Sequence, residues 1–439
     1  MKQNCSIPLW IIVAGSLLLA YLAFFVAPVF LNPAHTMAFP RYIQATAPMG
    51  VDLRWAYDSA TALASGLPSS RAPIGYPPME RVLRVPLLPF SFSQAYALHT
   101  FVTVLAFLSV VLALPLLIRR QTDRTVLVMM AISGLLSYGF QFEMERGQCY
   151  VIAMAMVAVG LFLFHRSHGL FARLSAYVLF TFAIQLKLTP AIFVFAFTDD
   201  ARDWKRNLMR WGTLGLMNIA CLFIFGIGEM QKFVATVTDN CREFMVSSNH
   251  SILSCANVAQ MAVGGNRQSG FQTVEAMRCA AQIQHVIPPA LQQVVGRIVE
   301  VGGYLILGLS LGCVLWLSFR RNARPVFKYL IMICCLTMLL LPAVSLDYTL
   351  SVLPMALGVF LGESDALTIT GWRGKWRVGL MAALGLLYAC ILFPPIFRPK
   401  ILASSTPALL GMCIVIALLM MLEDGRVRPS GAGVPPETR

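Results

Sequence analysis

Residues 8–31 read PLWIIVAGSLLLAYLAFFVAPVFL, an uninterrupted apolar run. As an α-helix rising ~1.5 Å per residue it reaches about 36 Å, enough to cross a hydrocarbon core about 30 Å thick. It does not read as a signal peptide. The run exceeds a typical signal h-region, and Pro33 and His35 follow where small residues would mark cleavage. We expect a retained membrane helix. Similar runs start near Tyr96, Thr125, Tyr150, Ala176, Pro190, Trp211, Ile298, Phe327, Tyr348, Val378 and Leu402, which gives about twelve crossings in all.

Composition agrees with this reading. The 439 residues are 58% hydrophobic and 12% charged, with a mean hydropathy of +0.71, outside the range of a soluble globular domain. A formal charge of +14 raises the question of nucleic acid, but the basic residues fall in short clusters between apolar runs and not on one face. Examples are Arg119, Arg120 and Arg124; Arg166 and Arg173; Arg202, Lys205, Arg206 and Arg210; Arg320, Arg321, Arg324 and Lys328; and Arg373, Lys375 and Arg377. With these inside, roughly 20 of the 34 Lys and Arg lie in short cytoplasmic segments. The expectation is an all-α polytopic membrane protein with both termini cytoplasmic. A single membrane domain spans 1–422, and a Pro/Gly/Arg-rich tail, 423–439, reads as disordered.

Two outer segments are far longer than the other connections, about 32–95 and about 229–297. The first contains a stretch from Asp52 to Ser65 that reads as a short juxtamembrane helix stopped by Gly66, a residue suited to the position after a helix C-cap. The cysteines lie mostly in apolar runs, as small hydrophobes. Cys241, Cys255 and Cys279 share the second loop without a spacing that specifies a disulfide or a metal site.

Charge at membrane depth is costly and persists mainly where it has a function. On the expected outer face such charges gather at Asp52 and Arg54; at Glu143, Glu145 and Arg146, with Gln148; at Lys187; and at Asp347. A carboxylate beside cations and an apolar groove suits transfer of a sugar from a lipid phosphate. Asp52 would take the proton of an acceptor hydroxyl, while Lys187 and Arg146 would hold the departing phosphate as it gains charge. The leaving phosphate needs no acid, so one carboxylate suffices, unlike the pair used in glycoside hydrolysis.

Each of these residues also has a structural explanation. Asp52 stands where a helix N-cap would be, and Asp58 reads as a solvated helix position. Lys187 can snorkel from a helix end, and Arg146 can pair with Glu143 or Glu145. Tyr76-Pro77-Pro78 is a rigid extended turn, and Asn249-His250-Ser251 also matches an N-glycosylation acceptor. His99 and His285 read as structural.

The run Val51-Asp52-Leu53 with Tyr57, Ala60 and Gly66, followed by Tyr76-Pro77-Pro78, resembles the first outer loop of glycosyltransferase family 87. Further motifs follow in the family's order. Glu145-Arg146-Gly147-Gln148 looks like its Gly-Gln segment, Lys187-Leu188-Thr189-Pro190 like its Lys-x-x-Pro segment, and Asn249-His250-Ser251 like its Asn-x-Ser segment. The resemblance implies a GT-C fold enzyme that takes mannose, or in relatives arabinofuranose, from polyprenyl phosphate and builds envelope glycolipids or glycans. It implies Asp52 as general base, with Arg54, Tyr57, Tyr76, Arg146, Gln148, Lys187, Asn249, Asp347 and Tyr348 meeting substrate.

One departure from the family pattern stands out. Where family members often carry His-Tyr after a Ser-Pro stretch, this chain has Pro342, Ser345 and then Asp347-Tyr348. If the family His contacts the donor phosphate, an acid there would repel it, so either the donor sits differently or Asp347 pairs with a cation such as Lys187 or Arg146. Expected partners are membrane lipids, the lipid-linked donor and a glycolipid or glycan acceptor, with no nucleic acid. No cofactor or metal is expected, because no Asp-x-Asp pair lies on the outer face and Asp199-Asp200 falls inside. A multi-pass lipid or sugar transporter or flippase is the alternative from another class, and a non-catalytic scaffold is a third.

Overall fold

The structure, a computed structural model, describes residues 6–21, 50–66, 76–118, 123–167, 169–200, 203–243, 249–264, 289–320, 327–364, 367–368, 371–392 and 404–424. Apart from a two-residue antiparallel pairing of β1 (Ser6–Ile7) with β2 (Leu367–Thr368), the described chain is helical. After β1 come α1 (Leu9–Tyr21), α2 (Val51–Ala64), α3 (Glu80–Arg84) and the long α4 (Phe92–Ile118). Next are α5 (Arg124–Leu135), α6 (Tyr138–Arg146), α7 (Tyr150–Arg166), α8 (Leu170–Leu186) and a 3-10 helix, Thr189–Ala196. The chain continues through α9 (Trp204–Leu222), α10 (Ile227–Glu243), α11 (Ile252–Gly264), α12 (Pro289–Arg320) and α13 (Phe327–Leu340). A second 3-10 helix, Asp347–Val352, leads into α14 (Leu353–Gly362), and β2, α15 (Gly371–Ile391) and α16 (Thr406–Asp424) complete it.

Every apolar run expected to cross the membrane carries helix, and within the described residues fewer than twelve of these helices have the length of a span. Among the described residues four helices are long and apolar enough to cross, or up to six if each of two bent pairs counts as one. The other apolar helices are shorter, and α7 and α8 at 17 residues each reach about 25 Å. Local chemistry explains part of the shortfall. Thr189-Pro190 opens a 3-10 helix directly after α8, and α5 and α6 meet at a 51° bend. Within α4, a π-helical segment at Ser109–Ala113 precedes Pro115, whose ring cannot accept an ordinary helical register four residues back.

In the described part of the first long segment the short helix stands much as expected. α2 ends at Ala64, Ser65 is its C-cap, and Gly66 follows with φ +65°. The second outer segment contains α10, α11 and the first turns of α12, which begins at Pro289, earlier than its apolar stretch suggested. At the C-terminus, Glu423 does not begin a loose tail. It lies in the last turn of α16 and accepts from Lys328 Nζ at 3.2 Å and Arg377 Nη2 at 3.0 Å. Residues 425–439 lie outside the described residues.

Charges segregate to opposite ends of the bundle. Arg173, in the first turn of α8, and Arg210 share Asp199 at 3.1 and 2.7 Å. Lys187 directly follows the other end of the same helix. α16 likewise has Glu423 at one end and, at the other, Thr406, whose hydroxyl donates to the His250 carbonyl at 2.9 Å. Of the expected inner cations, Arg173, Arg210, Lys328 and Arg377 thus lie away from the expected site residues. A close approach fixes the level of the site: a Cβ on Gly139 would lie 2.9 Å from the Ser351 backbone nitrogen. With only hydrogen there, α6 packs directly on the 3-10 helix that begins at Asp347.

Candidate active site

Asp52 is the second residue of α2 and only 3% exposed. It does not cap the helix: the N-cap is Gly50, at φ 70°, and no side chain caps there. The carboxylate is turned instead toward the loop after α6. Arg146 Nε donates to its Oδ2 at 2.8 Å and Nη2 to its Oδ1 at 2.6 Å, a bidentate pair between residues 94 apart in sequence. Gln148 Nε2 also donates to Oδ2. Oδ1 therefore carries one of these hydrogen bonds and keeps acceptor capacity.

The turn that presents Arg146 and Gln148 depends on Gly147. It adopts φ +70°, and a Cβ there would lie 2.7 Å from the Leu53 Cβ. Both strain and overlap would follow from a side chain. Gly147→Ala is expected to lower stability by about 2–5 kcal/mol, combining the left-handed strain and the overpacking. A thermal melt in nanodiscs, read with transfer activity, checks this.

A second layer supports the amide. Tyr76 Oη donates to Gln148 Oε1 at 3.2 Å, which orients the amide so that its nitrogen faces Asp52. Burial, reinforced by the negative charge of Asp52, raises the Tyr76 phenol well above its ordinary pKa, so it serves as a donor. His99 Nε2 lies 2.8 Å from the Gln148 carbonyl oxygen and so carries the proton, leaving Nδ1 to accept from Arg84 Nη1 at 3.4 Å. Arg84 pairs with Glu80 at 2.6 Å. Burial opposes the Arg84 charge, but Glu80 together with Cys149 and Tyr76 outweighs it, and the net pKa shift is upward. A buried polar chain thus runs from Glu80 through Arg84, His99 and Gln148 to Asp52.

Lys187 is buried in an aromatic cage. Its Nζ lies 3.9 Å from the ring centroid of Tyr76, 4.7 Å from that of Tyr150 and 6.0 Å from that of Tyr348. It makes no hydrogen bond or ion pair to another described residue, so its donors are uncommitted within the described chain. Tyr348 packs on Tyr150 and on Phe142, each at 5.7 Å between centroids. The ammonium and the Asp52 cluster are linked through Tyr76, which touches both.

Other expected site residues are placed differently. Arg54 pairs with Asp58 at 3.4 Å and lies over the Phe92 ring at 4.6 Å, with its side chain about half exposed. Tyr57 donates to the Phe90 carbonyl at 2.8 Å. Neither joins Asp52, because residues two and five along a helix point away from its face. Asn249 has its amide bound to backbone. Its Nδ2 donates to Ala343 O at 2.9 Å, and its Oδ1 accepts from Ser251 N at 3.0 Å and Ser345 N at 2.9 Å. Buried this way, it ties the strap before α11 to the turn before the second 3-10 helix.

Asp347 pairs with neither Lys187 nor Arg146. Its Oδ1 lies 3.4 Å from His250 Nδ1, and its Oδ2 accepts from Tyr138 Oη at 3.1 Å. Glu143, considered above as a partner for Arg146, bonds instead to Val151 N at 2.8 Å and to the Ser351 hydroxyl. Tyr150 and His250 were not singled out as site residues. An aromatic residue opening an apolar helix carries no signal of a cage, and His250 was visible only as the middle of a motif.

The arrangement offers a carboxylate with spare acceptor capacity, an adjoining guanidinium and an uncommitted ammonium at one end of a membrane bundle. No curated protein and no solved structure matches the chain at a significant level. The sequence profile described as Glycosyltransferase family 87 matches residues 75–342, more than half of the chain. The match takes in Tyr76, Arg146, Gln148, Lys187 and Asn249, while the fold brings Asp52 and Tyr348 to them from either side of it. A match of that extent shows that the chain belongs to glycosyltransferase family 87 and is a membrane glycosyltransferase.

Proposed function

We propose that the chain transfers a sugar, mannose first among candidates, from a polyprenyl-phosphate carrier to a glycolipid or glycan acceptor on the non-cytoplasmic face. The observation that carries this reading is the Lys187 ammonium, caged by three tyrosines, without an ion-paired carboxylate among the described residues, and coupled through Tyr76 to the Asp52–Arg146 pair. A buried cation in this state suits an anionic ligand.

In the proposed reaction the acceptor oxygen forms a bond to the anomeric carbon as its proton passes to Asp52 Oδ1. The bond from that carbon to the phosphate oxygen breaks, and its electron pair leaves with polyprenyl phosphate. Lys187 and Arg146 meet the charge that develops there, an interaction stronger in the transition state than in the ground state. A single displacement with one base inverts the anomeric configuration. Analysis of the product anomer tests this step, and retention would refute it.

The deciding assay uses protein purified into nanodiscs. Radiolabelled polyprenyl-phosphate-mannose and polyprenyl-phosphate-arabinofuranose are offered in parallel with a membrane-lipid extract as acceptor. Transfer from the mannosyl donor is the expected result. Transfer from neither donor by folded protein would sink this reading and favour a multi-pass transporter.

A further inference from the structure

Beside the Asp52–Lys187 cluster lies a second buried polar group, centred on His250, whose residue is 0% exposed. Its Nδ1 faces Asp347 Oδ1 at 3.4 Å, and its Nε2 lies 2.9 Å from Ser345 Oγ and 3.0 Å from Thr349 Oγ1. The His250 backbone nitrogen donates to Ser345 O at 2.9 Å, and its carbonyl accepts from Thr406 Oγ1 at 2.9 Å. One residue thus ties together the strap before α11, the turn before α14 and the start of α16. Burying that much polarity requires that these groups find partners within the fold, and the hydrogen bonds just given supply them.

The turn held in this way carries Tyr348, the third wall of the Lys187 cage. Asp347 is itself only 4% exposed. The imidazole lies at Oδ1 and the Tyr138 hydroxyl donates to Oδ2, so the carboxylate's negative charge is met within the protein. We propose that His250 is a positioning residue for the donor: by binding Asp347, Ser345 and Thr349 it fixes Tyr348 against Lys187 and keeps the Asp347 charge off the donor phosphate.

This inference rests on the lipid-phosphate donor proposed above, and its test separates the two. In nanodiscs, His250→Ala is expected to raise the KM for polyprenyl-phosphate-sugar about tenfold or more, a change of one decade in affinity, with kcat altered less than about threefold. Polyprenyl phosphate alone should bind more weakly by the same factor. His250→Asn, which restores a donor toward Asp347, should recover most of the loss. A readout independent of activity is acylation of Lys187 followed by mass spectrometry: protected in wild type, it should be faster in His250→Ala and slower again in His250→Asn.

If wild type neither transfers nor binds polyprenyl phosphate, the donor reading fails, and the labelling still decides whether His250 holds the cage. Unchanged Lys187 labelling in His250→Ala overturns the inference. So does a loss confined to kcat, or an equal loss in His250→Ala and His250→Asn.

Discussion

Asp52→Asn is expected to reduce transfer by about 10²–10⁴-fold, the range attached to a positioned general base, while the protein stays folded. The substitution keeps size and removes the proton acceptor. It also places an amide against Gln148 Nε2 and the Arg146 guanidinium, so one donor must turn away. Breaking a buried pair usually costs several kcal/mol because the surviving charge is stranded. Here the Arg146 side chain is 24% exposed and can regain water, so the expected cost is nearer 1–3 kcal/mol. Melting temperature and kcat measured on the same nanodisc sample separate folding from chemistry. Asp52→Glu should remain poor as well, because the carboxylate is carried forward out of the Arg146 fork and a misplacement of ~1 Å can cost 10²-fold. An Asn variant with wild-type kcat would reduce Asp52 to a favourable acid in the first turn of a helix, and the scaffold reading would then regain ground.

The helices were legible because lipid leaves the backbone few alternatives, and long apolar runs announce them. The juxtamembrane helix α2 was legible for a local reason, the stop at Gly66 with φ +65°. Span number was less so, since hydropathy counts apolar residues and does not see the 3-10 break at Thr189–Ala196 or the bend between α5 and α6. In the site, the residue types came through and the pairings did not. Arg146 sits beside Glu143 and Glu145 in sequence, yet it reaches Asp52. Asp347, for which a cation such as Lys187 or Arg146 was one of two alternatives, finds His250, 97 residues away. Arg54 and Tyr57 share a motif with Asp52 but occupy other faces of the same helix. Pairings of this kind are set by tertiary contact, which neither propensity nor periodicity encodes.

Lys187→Met separates function from stability most sharply, because the two are expected to move independently. A buried ammonium without a carboxylate partner bears a desolvation cost of several kcal/mol. Against it stand cation–π contacts with three rings, each worth about 0.5–2 kcal/mol. The terms are of similar size, so replacing the ammonium by a thioether of similar length should leave stability within about 1 kcal/mol of wild type, or above it. Transfer should nevertheless fall by about 10²-fold, the loss typical of removing one group that meets developing charge. Lys187→Arg does not rescue by keeping the charge, since a planar guanidinium overfills a cage shaped round a compact ammonium. Melting curves and steady-state kinetics on the Met variant carry the test. Stability retained with transfer lost identifies a cation kept for its ligand. Stability lost with transfer retained would mean that the cage exists to hold the bundle together, and the phosphate would have to be met by Arg146 without it.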